Sequence, residues 1–203
     1  KKHAPYLTFM AIGEFDVITK PSYKSIPINY YIDAKYASMI DSMFHDSQGL
    51  LDFLCKTFGS PAPWVKMTQI IVKDFVSNAM ENTSAIVYNE NMIQKPGQLI
   101  DKSPFETILA HEIAHQWFGN LVTAESWSNL SLNESFANYA EYLWINYKYG
   151  EVAAEMHLDE QIEIYKNSQV ADQQLVRFQY DFAEELFNSE NHGLKGRLVC
   201  MGR

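Results

Sequence analysis

His111-Glu112-Ile113-Ala114-His115 places two imidazoles at i and i+4, and Glu134 follows after eighteen intervening residues. On a helix, side chains at i and i+4 lie one turn apart on the same face, so both rings can reach one metal ion. Glu112 is rotated about 100° from His111 on the 3.6-residue period, which puts it beside such an ion rather than on it. Glu134, coming from a second helix, would complete a His₂Glu donor set and leave a fourth position open for water. The chemistry implied is metal-assisted hydrolysis. Zinc lowers the pKa of a coordinated water from about 15.7 to near 7, and Glu112 takes up the proton as the water attacks a carbonyl.

Each part of this constellation also has a plainer reading. The short motif fixes only three positions, and a helix with two ordinary histidines satisfies it equally. Its setting favours ligands. Ser103-Pro104-Phe105-Glu106 predicts a helix start, with Ser103 as N-cap, Pro104 at N1 and Glu106 closing a capping box. Ile108, Leu109, Ile113 and Trp117 then form an apolar stripe, and the helix is expected to run to Phe118 and stop at Gly119. Ser131-Leu132-Asn133-Glu134 could likewise be a capping box in which Glu134 merely closes a helix. The apolar face of Phe136, Tyr139, Ala140 and Leu143, on a helix running to about Tyr149, lies near Glu134 and favours the ligand role. Glu141, two turns on, either steers a ligand or the substrate amine, or is an ordinary solvated charge.

A third motif precedes these two. Asn78-Ala79-Met80-Glu81-Asn82 lies about thirty residues before the metal helix, and on its own reads as a polar loop between strands. Together with the helix pair and Asn133-Glu134-Ser135-Phe136-Ala137, it resembles the gluzincin aminopeptidases of the M1 family, whose exopeptidase signature is Gly-Ala-Met-Glu-Asn. The resemblance implies a thermolysin-like zinc peptidase catalytic domain, α+β, with a small mixed sheet followed by helices. It implies one zinc ion held by His111, His115 and Glu134, with Glu112 as catalytic base. It further implies that Asn78, Ala79, Met80, Glu81 and Asn82 contact substrate. A fixed carboxylate at Glu81 would pair with the cationic α-amino group of a peptide and place the first peptide bond at the metal, so the substrates are peptides with a free N-terminus. The stretch Ala79–Tyr88 also reads as a sheet edge to which an extended peptide can add.

Two positions depart from the family pattern. Asn78 stands where the family has Gly, and Asn tolerates positive φ better than most residues. The family's oxyanion-stabilising tyrosine sits in a Tyr-x-Lys-Gly context about sixty residues after the zinc glutamate. The matching stretch here is 186–197, and His192 is assigned to the tyrosine position as a catalytic hydrogen-bond donor. Two further readings therefore stay open. One is a non-catalytic or impaired zinc-binding relative that binds peptides, motivated by His192. The other is an epoxide hydrolase of the leukotriene A4 hydrolase type, which no residue favours.

The bulk numbers bound the partners. A net charge of −9 over 203 residues, with no basic run, argues against nucleic acid. No eighteen-residue apolar run predicts a transmembrane segment, and Cys55 with Cys200 makes no disulfide framework. The chain reads as one partial catalytic domain, 1–203, strand-rich to about residue 100 and helical from about 101. By resemblance, a β-rich domain before it and a helical domain after it belong to a longer parent protein. In detail, a strand is expected over Tyr6–Asp16 with Ile26–Ile32 as its partner, and another over Met67–Val72. A helix is expected over Ala34–Thr57, interrupted at Gly49, with Met39, Ile40, Met43, Leu50, Leu51, Leu54 and Phe58 as its core stripe. From Ser103 onward helices are expected over 103–118, 131–149 and 151–167, the last two separated by Gly150.

Overall fold

The computed structural model describes residues 2–93, 104–168, 173–186 and 189–202. The chain falls into two units, Lys1–Gln116 and Trp117–Arg203. The first is built on a five-stranded mixed sheet in the order β1-β2-β3-β5-β4. Its strands are β1 (Asp16–Tyr23), β2 (Ile26–Ile32), β3 (Met67–Val72), β4 (Ala79–Met80) and β5 (Ala85–Asn89). β1–β2 and β4–β5 pair antiparallel, whereas β2–β3 and β3–β5 are parallel. The central strands are apolar and buried, as parallel strands covered on their faces must be: Ile28, Ile32, Ile86, Val87 and Tyr88 are all fully enclosed.

The first strand lies later than expected. Pro5–Leu7 is a 3-10 turn rather than a strand, and Asp16–Tyr23 pairs with β2, Asp16 opposite Ile32. The apolar residues that suggested a strand at Met10 and Ile12 are exposed, while Leu7 is buried. The sequence signal of β1 is weak because an edge strand tolerates Lys20 and Pro21, with an irregularity in register between Lys20 and Tyr23. The expected helix over Ala34–Thr57 divides into a 3-10 stretch (Ala34–Met39), α1 (Ile40–Met43) and α2 (Ser47–Thr57). The break falls at Phe44–Asp46, not at Gly49, which lies inside α2. Its physical cause is Phe44, whose buried ring packs against Tyr30, Tyr88 and Phe105 with centroids 4.7, 5.6 and 5.1 Å away. Of the expected stripe, Ile40, Met43, Leu50, Leu51 and Leu54 are buried, whereas Met39 and Phe58 are half-buried.

Phe105 belongs to α3 (Pro104–Ala114), whose Leu109 and Ile113 are also buried. The helix begins at Pro104 as expected; Ser103, its expected N-cap, lies outside the described residues. It ends at Ala114, short of Phe118. The His115 N–H still bonds the His111 carbonyl at 3.1 Å, but the Gln116 N–H bonds Ile113 at 3.1 Å, a tightening of the last turn.

The second unit contains α4 (Ser131–Tyr149) and α5 (Glu151–Lys166), separated at Gly150 with φ +87°. It is not helical throughout: residues 173–182 form no regular element. A 3-10 turn (Ala183–Leu186), a π-helical turn (Ser189–Lys195) and α6 (Gly196–Cys200) follow, while Phe187 and Asn188 of the expected tyrosine stretch lie outside the described residues. The buried face of α4 is only partly the expected one: Ala140 is enclosed, Phe136, Tyr139 and Leu143 are half-buried, and Asn133, Ser135, Ala137, Asn138, Trp144 and Ile145 are also enclosed. Small residues are needed there because the π-helical turn lies close. A Cβ added at Gly193 would come 2.6 Å from Asn138, and one at Gly196 would come 1.7 Å from Ser135. Among the described residues, no helix is long and apolar enough to cross a membrane, and Cys55 and Cys200 are free thiols.

Candidate active site

In the first unit, the end of α3 brings His111 and His115 together. Their Nε2 atoms are 2.9 Å apart and the ring planes stand at 80°. Nitrogen ligands at 2.0–2.1 Å in a tetrahedral zinc site lie about 3.3 Å apart, so this pair fits two corners of such a site. His115 is buried and His111 half-buried. Glu112, between them in sequence, is 7% exposed. Its carboxylate lies close enough to Tyr88 to act on that phenol, whose pKa is pushed well up by burial and then by the Glu112 charge. The Tyr88 hydroxyl donates to Gln69 Oε1 at 3.0 Å.

Asn78–Asn82 lies in the same unit and runs through β4. Ala79 and Met80 pair with Tyr88 and Val87, and the Asn89 N–H donates to the Asn78 carbonyl at 2.8 Å. Of the stretch Ala79–Tyr88, only β4 lies at a sheet edge. Val87 and Tyr88, expected at the edge, sit on β5 between β3 and β4. Asn78 is exposed and is not among the residues of positive φ, so asparagine in the family's glycine position carries no backbone strain. Glu81 and Asn82 are buried directly after β4. Asn82 Nδ2 and the Thr83 N–H both donate to the Leu7 carbonyl, at 3.4 and 3.3 Å, which fixes this turn from the N-terminal side.

In the second unit, Leu130 rather than Ser131 precedes α4, and no side chain caps the helix there, so the capping box is not formed. Glu134 lies in the first turn and is half-buried. The start of the helix is pinned by Asn133, whose Oδ1 accepts from the Ala124 N–H at 3.1 Å. His192 is buried at 2% exposure. Burial pushes its pKa down, while the Glu134 carboxylate and the Leu186 backbone oppose that shift. Its own carbonyl accepts from Ser135 Oγ at 2.8 Å. Counting back from Lys195-Gly196 in the Tyr-x-Lys-Gly pattern, the residue two before the lysine is Gly193, and His192 is its neighbour. Glu141 is no solvated charge. Its carboxylate lies 3.7 Å from His157 Nε2, and it raises the pKa of fully buried Arg197 against the lowering effect of burial. Those two partners were not legible in the sequence, because Arg197 and His157 sit at no motif spacing.

Residues 43–192 match the domain described as Peptidase family M1 domain. Glutamyl aminopeptidase of Bos taurus is 32% identical over 167 residues, which is 80% of this chain and 18% of that protein. Aminopeptidase N of Homo sapiens is 36% identical over 151 residues, covering 72% of this chain and 16% of that protein. Aminopeptidase M1 of Arabidopsis thaliana is 36% identical over 141 residues, covering 68% and 16%. The chain thus spans less than a fifth of the length of each of these relatives. It belongs to peptidase family M1.

Proposed function

We propose that this chain is part of the thermolysin-like catalytic domain of a zinc aminopeptidase, within a longer protein that carries flanking domains. The observation that carries the reading is the convergence of the His111 and His115 nitrogens at the end of one helix, with buried Glu112 between them in sequence. His111, His115 and Glu134 would hold the zinc, which supplies Lewis acidity to a peptide carbonyl and to water. Glu112 accepts the proton of the attacking water and returns it to the leaving amine. Its enclosure favours this, because a carboxylate removed from bulk water is a stronger base. Glu81 pairs with the free α-amino group, and the β4 edge beside it offers main-chain hydrogen bonds to an extended peptide. Asn78, Ala79, Met80 and Asn82 shape that edge. His192, kept neutral by burial, is the side chain nearest in sequence to the tyrosine position and donates to the oxyanion. The relatives named above, aminopeptidases by name, support the same class of reaction.

One observation favours a second reading. Gly193 leaves the tyrosine position in that pattern without a side chain, and losing one oxyanion donor costs on the order of 10²–10³ in turnover. An impaired relative that holds zinc and binds peptides would result. A single experiment separates the two. Zinc per chain is measured by elemental mass spectrometry, and hydrolysis of a free-amine peptide is followed for the wild type and Glu112→Gln. The peptidase reading expects one zinc in both and hydrolysis in the wild type alone. One zinc per chain without turnover in the wild type selects the impaired relative. Equal turnover in Glu112→Gln refutes the mechanism.

A further inference from the structure

Immediately after His115 comes a residue whose hydrogen bonds lead away from the metal pair. Gln116 is fully buried. Its Nε2 donates to the Glu81 carbonyl at 3.0 Å, and its Oε1 accepts from the Ser84 N–H at 3.0 Å. Its own carbonyl accepts from Trp64 Nε1 at 3.2 Å. One side chain therefore grips both ends of the Glu81–Ser84 turn through main-chain atoms, and its backbone is the next link after a metal-ligand candidate. Ser84 at φ +58° and the Ala85 N–H bond to Asn82 at 2.8 Å hold that turn in one conformation.

We infer that Gln116 is a positioning residue that sets the separation between the His111–His115 pair and the carboxylate of Glu81, and so fixes where a peptide's free amine sits relative to its first peptide bond. The inference rests on the aminopeptidase reading for Glu81 and deepens it. An amide suits the task because only Gln offers a donor and an acceptor at this reach, matched to one carbonyl and one N–H. Both partners are main-chain groups in buried surroundings, where an unmade bond is costly, so the turn follows the helix rather than drifting from it. A carboxylate misplaced by about 1 Å can cost about a hundredfold in a reaction that depends on its position.

The test uses the full chain, zinc-loaded, with Glu112→Gln as background so that nothing is hydrolysed. Trialanine amide and its N-acetyl form are titrated by calorimetry, and the ratio of their dissociation constants reports recognition of the free amine. Gln116→Met keeps the length and loses both side-chain bonds; Gln116→Glu keeps the acceptor for Ser84. The preference for the free amine should fall about tenfold or more in Gln116→Met and by less in Gln116→Glu, with zinc content unchanged. Should Gln116→Met fail to fold, a fall in Gln116→Glu carries the same conclusion. Equal weakening of both peptides, or a ratio within twofold of the parent's, overturns the assignment, as does a parent chain without any free-amine preference. Hydrolysis by the chain without the Glu112 substitution is measured separately. A chain that discriminates but does not hydrolyse fails as a peptidase while leaving Gln116 in this role.

Discussion

Gly196 offers the sharpest test of how the segment bearing His192 is held. A Cβ built there lies 1.7 Å from Ser135 Oγ, 2.7 Å from Ser135 Cβ and 3.5 Å from its Cα. Rotating the serine hydroxyl away relieves only the first contact, because the Cβ is fixed to the backbone of α4. The rotation also breaks the 2.8 Å bond from Ser135 Oγ to the His192 carbonyl, which lies in a buried setting. Overpacking costs about 1–3 kcal/mol and an unmade buried bond about 1–3 more, while alanine in place of glycine in a helix returns about 1. Gly196→Ala should therefore destabilise the chain by about 1–5 kcal/mol, a fall in melting temperature of about 2–20 °C. Combined with Ser135→Gly, the same alanine meets nothing closer than the 3.5 Å contact to Cα, an ordinary one, and should cost almost nothing further. Calorimetric melting of the wild type, both single variants and the double variant completes the cycle. If Gly196→Ala costs the same with and without the serine side chain, within about 0.5 kcal/mol, the packing argument is wrong.

Tyr88 sets an alkaline limit on stability. Its phenol is held neutral well above the usual range, first by burial and then by Glu112, whereas in the unfolded chain it titrates near pH 10. A raised folded-state pKa leaves its contribution complete below about pH 10 and lost as pH climbs further, at up to about 1.4 kcal/mol per pH unit. Tyr88→Phe should lose about 1 kcal/mol near neutrality, with the bond to Gln69, yet decline less steeply than wild type above pH 10. Parallel melting curves for the two proteins across that range contradict this. Metal removal gives the remaining prediction. At free zinc about a thousandfold over the dissociation constant, binding stabilises the folded chain by about 4 kcal/mol, so a chelator should lower the melting temperature by about 8–16 °C. His111→Ala should melt at one temperature with or without chelator. A chelator shift that survives in this variant places the metal elsewhere.

The motif-bearing helices were legible because their signals are local. The i, i+4 histidines, Pro104 at N1 and Gly150 after α4 depend only on near neighbours in sequence, and the structure has α3 and α4 where those residues predict them. The first strand was misplaced because burial, the usual cue, is weak along it: Val17 is exposed, and Lys20 and Pro21 are tolerated at the edge. The break at Phe44 was hidden because its cause is tertiary. An aromatic ring leaves the helical path to reach Tyr30, Tyr88 and Phe105, each distant in sequence. The buried face of α4 is only partly legible for the same kind of reason. Hydrophobicity pointed to Phe136 and Leu143, whereas closeness to Gly193 and Gly196 selects Ser135 and Asn138. Gln116 carries no signal in sequence beyond adjacency to His115; only its two main-chain partners reveal what it does.

The division of the chain at Gln116 separates two tasks that the proposed reaction requires. The first unit holds both histidines, the proposed base Glu112 and the Glu81 turn, and the bonds of Gln116 to Glu81 and Ser84 lie wholly inside it. Distances from Glu81 to the histidine pair are thus set by one helix end and one sheet edge. The second unit holds Glu134 and His192, linked to each other through charge and through the serine that follows Glu134. A substitution such as Gly196→Ala acts on that second pair, and should appear in zinc affinity and turnover while the preference for a free amine persists. A substitution at Gln116 should do the reverse. On the proposed reading, recognition of the N-terminus through Glu81 and zinc ligation through Glu134 are separable properties of one chain, because hydrogen-bond networks in different units hold the two residues.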